Sequence, residues 1–142
     1  MPIGVTFRGM MAASGVASAA SYSYALFTWG LGNSGHTGQG DTANRSVPTQ
    51  VGVHVDWATI DMGAYAGAAI KSNGTLWTWG DGANGKTAQG NTTDISTPMQ
   101  VGNLSDWASV SLDRHGLAVK TDGTLWAWGL GDLGRLGDGT TV

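Results

Sequence analysis

The sequence predicts an all-β fold, and three observations carry the prediction: a repeat of about 50 residues, short runs of Thr, Val and Trp, and glycine punctuating those runs. Glycine supplies 24 of the 142 residues, against roughly 10 expected at the usual ~7%. All ten acidic residues are Asp, and good helix formers are scarce. Runs of this kind broken by Gly, Asn and Asp are the composition of strands and tight turns. A chain of this length is expected to form one domain with a real core, burying roughly two-thirds of its unfolded surface.

The repeat decides the reading. Trp29-Gly30, Trp79-Gly80 and Trp128-Gly129 stand 50 and 49 residues apart. Pro48 and Pro98 are 50 apart, as are Gln50-Val51-Gly52 and Gln100-Val101-Gly102, and Asp56-Trp57-Ala58 and Asp106-Trp107-Ala108. Independent landmarks on one period mark copies of a single supersecondary unit.

Taken in order, the first copy is worn. Leu26-Phe27-Thr28-Trp29 fits as a strand, but Ser23-Tyr24 stands where the later copies carry Asn-Gly or Asp-Gly, and Phe7–Ala20 matches the upstream strands hardly at all. Residues 1–23 are therefore read as a degenerate N-terminal segment, and 24–142 as repeats centred on Trp29, Trp79 and Trp128. Met10–Ala20 holds small residues with an Ala-x-Ala pattern at Ala17–Ala19, a poor signal peptide because Ser and Gly dilute its apolar run.

The second unit opens on the strand Trp57-Ala58-Thr59-Ile60, passes a Gly-rich break and continues with Gly67–Lys71. Ser72-Asn73-Gly74-Thr75 is a hairpin signal, read as a type I′ turn with Asn73 and Gly74 at positive φ. In the next strand, Leu76-Trp77-Thr78-Trp79, the two indoles share a face. A Gly-rich loop, a Pro-containing return and Met99-Gln100-Val101 close the unit. The third copy repeats this with Asp122-Gly123, Trp126 and Trp128, after a one-residue deletion. It reaches Val142 before any counterpart of Pro48 or Val51.

All seven tryptophans, Trp29, Trp57, Trp77, Trp79, Trp107, Trp126 and Trp128, sit at repeat landmarks and are expected to be the core. Each can bury ~150–250 Å², worth an upper bound of roughly 4–6 kcal/mol at ~25 cal/mol per Å².

Several function classes lack support. The formal charge of −3 and pI near 5.3 leave no basic footprint for nucleic acid. Without cysteine there is no disulfide framework or thiolate metal site. No run approaches the ~18–20 apolar residues of a membrane-spanning helix, so no membrane insertion is expected. His36, His54 and His115 are not spaced as a metal pair, and Asp113 and His115 lack the context of a nucleophile. No cofactor, metal or catalytic residue is expected. Gly30-Leu31-Gly32-Asn33-Ser34-Gly35 matches a dinucleotide-loop pattern, as do the segments from Gly80 and Gly129, but no helix or downstream acidic residue follows as that fold requires.

His36, Lys86 and Arg135 occupy equivalent loop positions and, by this alignment, form the only periodic charge. In a stacked array they would line one edge, either as an anion site for phosphate, sulfate or acidic sugar or as solvated loop charges.

The pattern Leu-Trp-x-Trp-Gly, a Gly-rich loop, a Pro-Val stretch and a following Trp-x-x-Val strand resembles the RCC1 (regulator of chromosome condensation) repeat over about residues 24–142. The match is fullest at Asp122-Gly123-Thr124-Leu125-Trp126-Ala127-Trp128-Gly129, continuing through Gly134-Arg135-Leu136-Gly137-Asp138-Gly139. His115 matches the family's strand before the hairpin, while Ala66-Gly67 departs from it. Thr37 and Thr87 replace the loop leucine. The resemblance implies four-stranded propeller blades, here about two to three. Closed propellers have about four to eight blades, so the expectation is a partial propeller or a ring completed by copies of the chain, such as a trimer.

The resulting expectation is a structural or recognition protein rather than an enzyme. The favoured class is a phage virion component, such as a tail fibre, baseplate appendage or head decoration, with other virion or surface proteins as partners; outside a virion it would be cytoplasmic. The alternatives are a regulatory domain acting on a GTPase or chromatin, and a carbohydrate-binding module stacking rim tryptophans on a host-surface glycan.

Overall fold

The structure, a computed structural model, describes residues 4–10 and 23–141. These residues build three antiparallel sheets, each a meander with its strands in chain order. The first contains β1 (Gly4–Met10), β2 (Ser23–Gly30) and β3 (Arg45–Gln50). The second has four strands, β4 (Trp57–Met62), β5 (Ala66–Lys71), β6 (Leu76–Gly80) and β7 (Ile95–Gln100). The third has β8 (Trp107–Leu112), β9 (His115–Lys120) and β10 (Leu125–Gly129). The chain is all-β, with propeller blades packed face to face as a partial ring.

The same local devices recur in each blade. Register shifts fall between Trp57 and Thr59 and between Trp107 and Ser109 on the opening strands, and between Thr28 and Gly30 and between Thr78 and Gly80 on the strands that carry the indoles. Such bulges bend a strand and re-aim its side chains. Pro98 is accommodated because β7 is an edge strand.

The hairpin between β5 and β6 differs from the type I′ expectation. Gly74 has φ +80°, but Asn73 is not among the residues at positive φ. The Gly74 N–H donates to the Lys71 carbonyl at 2.9 Å and the Lys71 N–H to the Thr75 carbonyl at 3.0 Å, giving a three-residue loop with a left-handed third position. Asn73 instead uses its side chain: Oδ1 accepts from the Thr75 N–H at 3.1 Å and hydroxyl at 2.7 Å, and that hydroxyl accepts from the Trp77 indole at 2.8 Å.

Within the N-terminal segment, residues Gly4–Met10 form a strand that pairs antiparallel with Ser23–Trp29 of β2. Gly4 stands opposite Trp29, as Gly67 stands opposite Trp79 and Gly116 opposite Trp128.

Two apolar seams hold the sheets together. Between the first and second lie Leu26, Val51, Trp57, Ala69, Trp79 and Ile95. Between the second and third lie two clusters, one around Ile70, Leu76, Trp107 and Ala118, the other around Ala66, Ala68 and Leu112. At the second seam β4 and β8 also meet directly: Asp61 Oδ2 accepts from the Leu112 N–H at 2.8 Å and the Ser111 hydroxyl at 3.1 Å.

Candidate recognition surface

Each seam is locked from a loop of the preceding blade. The loops after β2, β6 and β10 contain short 3-10 turns at Asn33–Gly35, Ala83–Gly85 and Asp132–Gly134. The glycine pattern thus opens three-residue turns. Trp79 donates its indole N–H to the His36 carbonyl at 3.0 Å, and Trp128 donates to the Lys86 carbonyl at 2.9 Å, so each loop holds the tryptophan of the next blade. The Gly40 N–H reaches across to the Ser96 carbonyl at 2.7 Å. Gly67 and Gly116 make room for these rings: an added Cβ would lie 2.3 Å from Trp79 and 2.2 Å from Trp128.

The loop row His36, Lys86 and Arg135 does not form a solvent-facing line. His36 and Lys86 are buried, and Arg135 is half-buried. The physical reason is the seam: a loop that seats the next blade is covered by it. Lys86 Nζ pairs with Asp81 at 2.6 Å and stands 4.6 Å above the Tyr65 ring, and Arg135 pairs with Asp132. Burial pushes the Asp81 carboxyl up, but the Lys86 ion pair and the Ala83 N–H outweigh it and hold the group below the usual carboxylate range. Burial likewise lowers the His36 pKa, against the raising influence of Asp81 and Asp94. Both ring nitrogens of His36 are buried without hydrogen-bond partners among the described residues.

A second periodic charge lies elsewhere. Lys71 Nζ sits 5.0 Å from the Trp57 ring centroid, 4.5 Å from that of Trp77 and 3.3 Å from Asp56. Lys120 repeats this with Trp107 at 5.1 Å, Trp126 at 4.7 Å and Asp106 at 3.5 Å. The ring pairs are edge-on, with centroids 6.0 and 5.9 Å apart. A nearly buried ammonium held between two indole faces and a carboxylate is a strong cation–π arrangement. It pins the opening strand to the third strand of the blade.

The tryptophans divide by position. Trp57, Trp79 and Trp107 are buried, Trp29, Trp77 and Trp128 are half-buried, and Trp126 is 49% exposed, so it is not a core residue among the described ones. The cause is the free edge of β10. In the second blade β7 flanks β6, and Thr97 and Pro98 help line a cleft of about 260 Å³ beside Trp77. Beside Trp126 no described strand fills the equivalent place, and the cleft widens to about 660 Å³. The opposite face of the third sheet is also uncovered. Leu26 and Leu76 are 0% exposed beneath the following sheet, whereas Leu125 at the same repeat position is 65% exposed.

The regulator of chromosome condensation (RCC1) repeat model matches residues 25–70 and 73–117, most of the chain. The chain belongs to the RCC1 repeat family. Its fold is similar to that of Prp20p from Saccharomyces cerevisiae, described with its binding to Gsp1p and histones: TM-score 0.73, 20% identity, covering 82% of this chain and 32% of that one. It is also similar to human WBSCR16, with TM-score 0.67, 18% identity, and 76% and 30% coverage. The chain thus spans about a third of these RCC1-type structures. No curated protein sequence matches it. Within the RCC1 repeats, the hairpin, the indole-seating loop and the two aromatic–lysine clusters are the recurring parts. Among the described residues, the surfaces that no blade covers include the β10 edge and the outward face of the third sheet.

Proposed function

We propose that this RCC1 repeat protein is a non-catalytic structural and recognition component of a particle surface, specifically of a phage virion: a tail fibre, baseplate appendage or head decoration. The observation that supports the reading is the construction of the chain from packed repeats whose polar and aromatic side chains serve the blades and the seams between them, the construction of a scaffold that presents surfaces to partners. The three lysines serve structure: Lys71, Lys86 and Lys120 pair with Asp56, Asp81 and Asp106. The test is mass spectrometry of purified particles. Recovery of the chain at stoichiometric level is expected, and recovery only from the soluble cytosolic fraction overturns the particle reading.

One observation favours a second reading, a carbohydrate-binding module. Trp126 exposes its ring in a cleft whose rim includes Asn84, Asn91 and Asn103, and exposed indoles bordered by amides suit sugar faces. Titration of surface glycans against tryptophan emission tests it, with Trp126→Ala removing the response.

A further inference from the structure

We propose that the joint between the first and second sheets is an acid-opened latch, in which protonation of the buried His36 imidazole lifts the 33–40 loop off β6 and β7 while the joint between the second and third sheets stays closed.

The two joints are built alike except at the side chain that titrates. At each, a loop carbonyl accepts the indole N–H of the next blade, His36 from Trp79 and Lys86 from Trp128. The Lys86 ammonium meets its counter-charge in its own loop, five residues back, where Asp81 stands at 2.6 Å. His36 has Leu31 at that place, 44% exposed. The first joint thus repeats the second without the carboxylate that holds a charge there. Histidine is also the side chain whose ordinary titration falls between about pH 5 and 8, and lysine's does not.

His36 is 3% exposed, and neither ring nitrogen has a hydrogen-bond partner among the described residues. The groups that face it come from the second blade. Tyr65, in the turn between β4 and β5, stands edge-on with ring centroids 6.4 Å apart, but the same ring already carries Lys86 Nζ at 4.6 Å. Asp81 is held by Lys86 and by the Ala83 N–H at 2.8 Å, and Asp94 by the Gly82 N–H at 3.0 Å. β6 and β7, which pack against the loop, bring no ionisable side chain, and in the loop's continuation Asp41 is paired with Arg45. Burial holds the His36 pKa below its ordinary value, against the pull of Asp81 and Asp94 and with the help of Lys86. An imidazolium with two N–H donors and no free acceptor is costly to bury, and it regains water when the loop moves out.

The bonds that tie the loop to the second blade include the Gly40 N–H to the Ser96 carbonyl at 2.7 Å and the Trp79 indole to the His36 carbonyl. The loop's own bonds, such as the Gly38 N–H to the Gly35 carbonyl at 2.9 Å, survive a rigid lift. Opening therefore frees the Trp79 indole without unravelling the turn.

The experiment is nuclear magnetic resonance of the full chain with isotope-labelled tryptophan and backbone. It reads solvent exchange of the Trp79 and Trp128 indoles, the Gly40 amide and the β5 amides from about pH 7.5 to about pH 5, corrected for intrinsic exchange. The open loop takes up a proton that the closed one resists, so opening rises as pH falls through about 6.5, by up to about tenfold per pH unit until the folded value is reached. Trp79 and Gly40 are expected to lose protection on that profile, and Trp128 and β5 to keep theirs. Two variants isolate the cause. His36→Leu cannot take up the proton, and Leu31→Asp, at an exposed position, supplies the carboxylate that Lys86 has in Asp81. Each is expected to flatten the Trp79 profile, and the far-ultraviolet spectrum checks that both are folded. Acid loss that is equal at Trp79 and Trp128, or that reaches β5, is general destabilisation and overturns the latch, as does a Trp79 profile unchanged in His36→Leu. A Trp79 indole that stays protected while His36 takes up its proton also overturns it, because the imidazolium is then accommodated in place.

Discussion

Trp79 concentrates the energetics of a seam in one side chain: it is fully buried, donates to the His36 carbonyl and packs closely against Gly67. Trp79→Phe leaves that buried carbonyl unpaired and opens a small void, and should cost about 2–4 kcal/mol in urea unfolding. Gly67→Ala drives a methyl group into the same ring and should cost about 1–3 kcal/mol or more. The loop histidine supplies a pH dependence. Burial holds the folded His36 pKa below the ordinary ~6.5, with Asp81, Asp94, Lys86 and the Tyr65 ring around it. The unfolded chain therefore takes up a proton below about pH 6.5 that the folded chain resists, and stability falls from there toward the folded value. Between pH 7.5 and 5.5 the melting temperature of the unmodified chain should drop more steeply than that of His36→Leu; equal slopes would remove His36 as the cause. At this scale a large aromatic at a fixed interval points to packing, and six of the seven tryptophans are buried or half-buried, while Trp126 is exposed. The Lys71 and Lys120 clusters were not legible in the sequence. Trp57 and Lys71 lie 14 residues apart along the chain and Trp107 and Lys120 lie 13 apart, and the bulged pairings of β4 with β5 and of β8 with β9 bring them together.

Among the elements, the hairpins show how far sequence reasoning reaches. Asn73-Gly74 and Asp122-Gly123 marked the turns correctly, but Asn73 works through its side chain rather than through a left-handed backbone. Sequence alone does not separate a two-residue loop from a three-residue one when the flanking Thr can join either strand. The two turns should respond differently to the same substitution. Gly74 and Gly123 have φ +80° and +85°, yet an added Cβ at Gly74 would meet the Ser105 carbonyl oxygen at 2.1 Å, while at Gly123 nothing lies within 4 Å. Gly123→Ala should cost only the backbone penalty of about 1–2 kcal/mol. Gly74→Ala should cost distinctly more, because the second-blade turn is pressed against the entry to β8. Chemical denaturation of the two variants side by side checks this, and equal losses would mean that the turn can move away from Ser105. The strand β1 was missed for a related reason. Gly67 precedes Trp79 by 12 residues and Gly116 precedes Trp128 by 12, whereas Gly4 precedes Trp29 by 25, so a fixed-period search passes over it.

For the molecule as a whole, the 50-residue period made the architecture of RCC1-type blades legible. The period did not reveal that the loop row would turn inward, because alignment gives equivalence and not orientation; only the stacking of one blade on the next buries those side chains. Stability in such an array is approximately a sum of blade and seam contributions, which makes it uneven along the chain. The second sheet has neighbours on both faces, and every residue of β5 is buried. The third has one covered face, and β10 is its free edge. Amides of β5 and β6 should therefore exchange with solvent only through global opening, whereas those of β10 should exchange through local fraying at far lower free energy. Trp107→Ala, at the second seam, should cost about 3–5 kcal/mol and collapse protection in β8 to β10 while leaving much of it in β5 and β6. Hydrogen exchange read by mass spectrometry measures both gradients. If protection were equal from β5 to β10, or if Trp107→Ala lowered it uniformly, the blades would be one cooperative unit rather than units joined at separable seams.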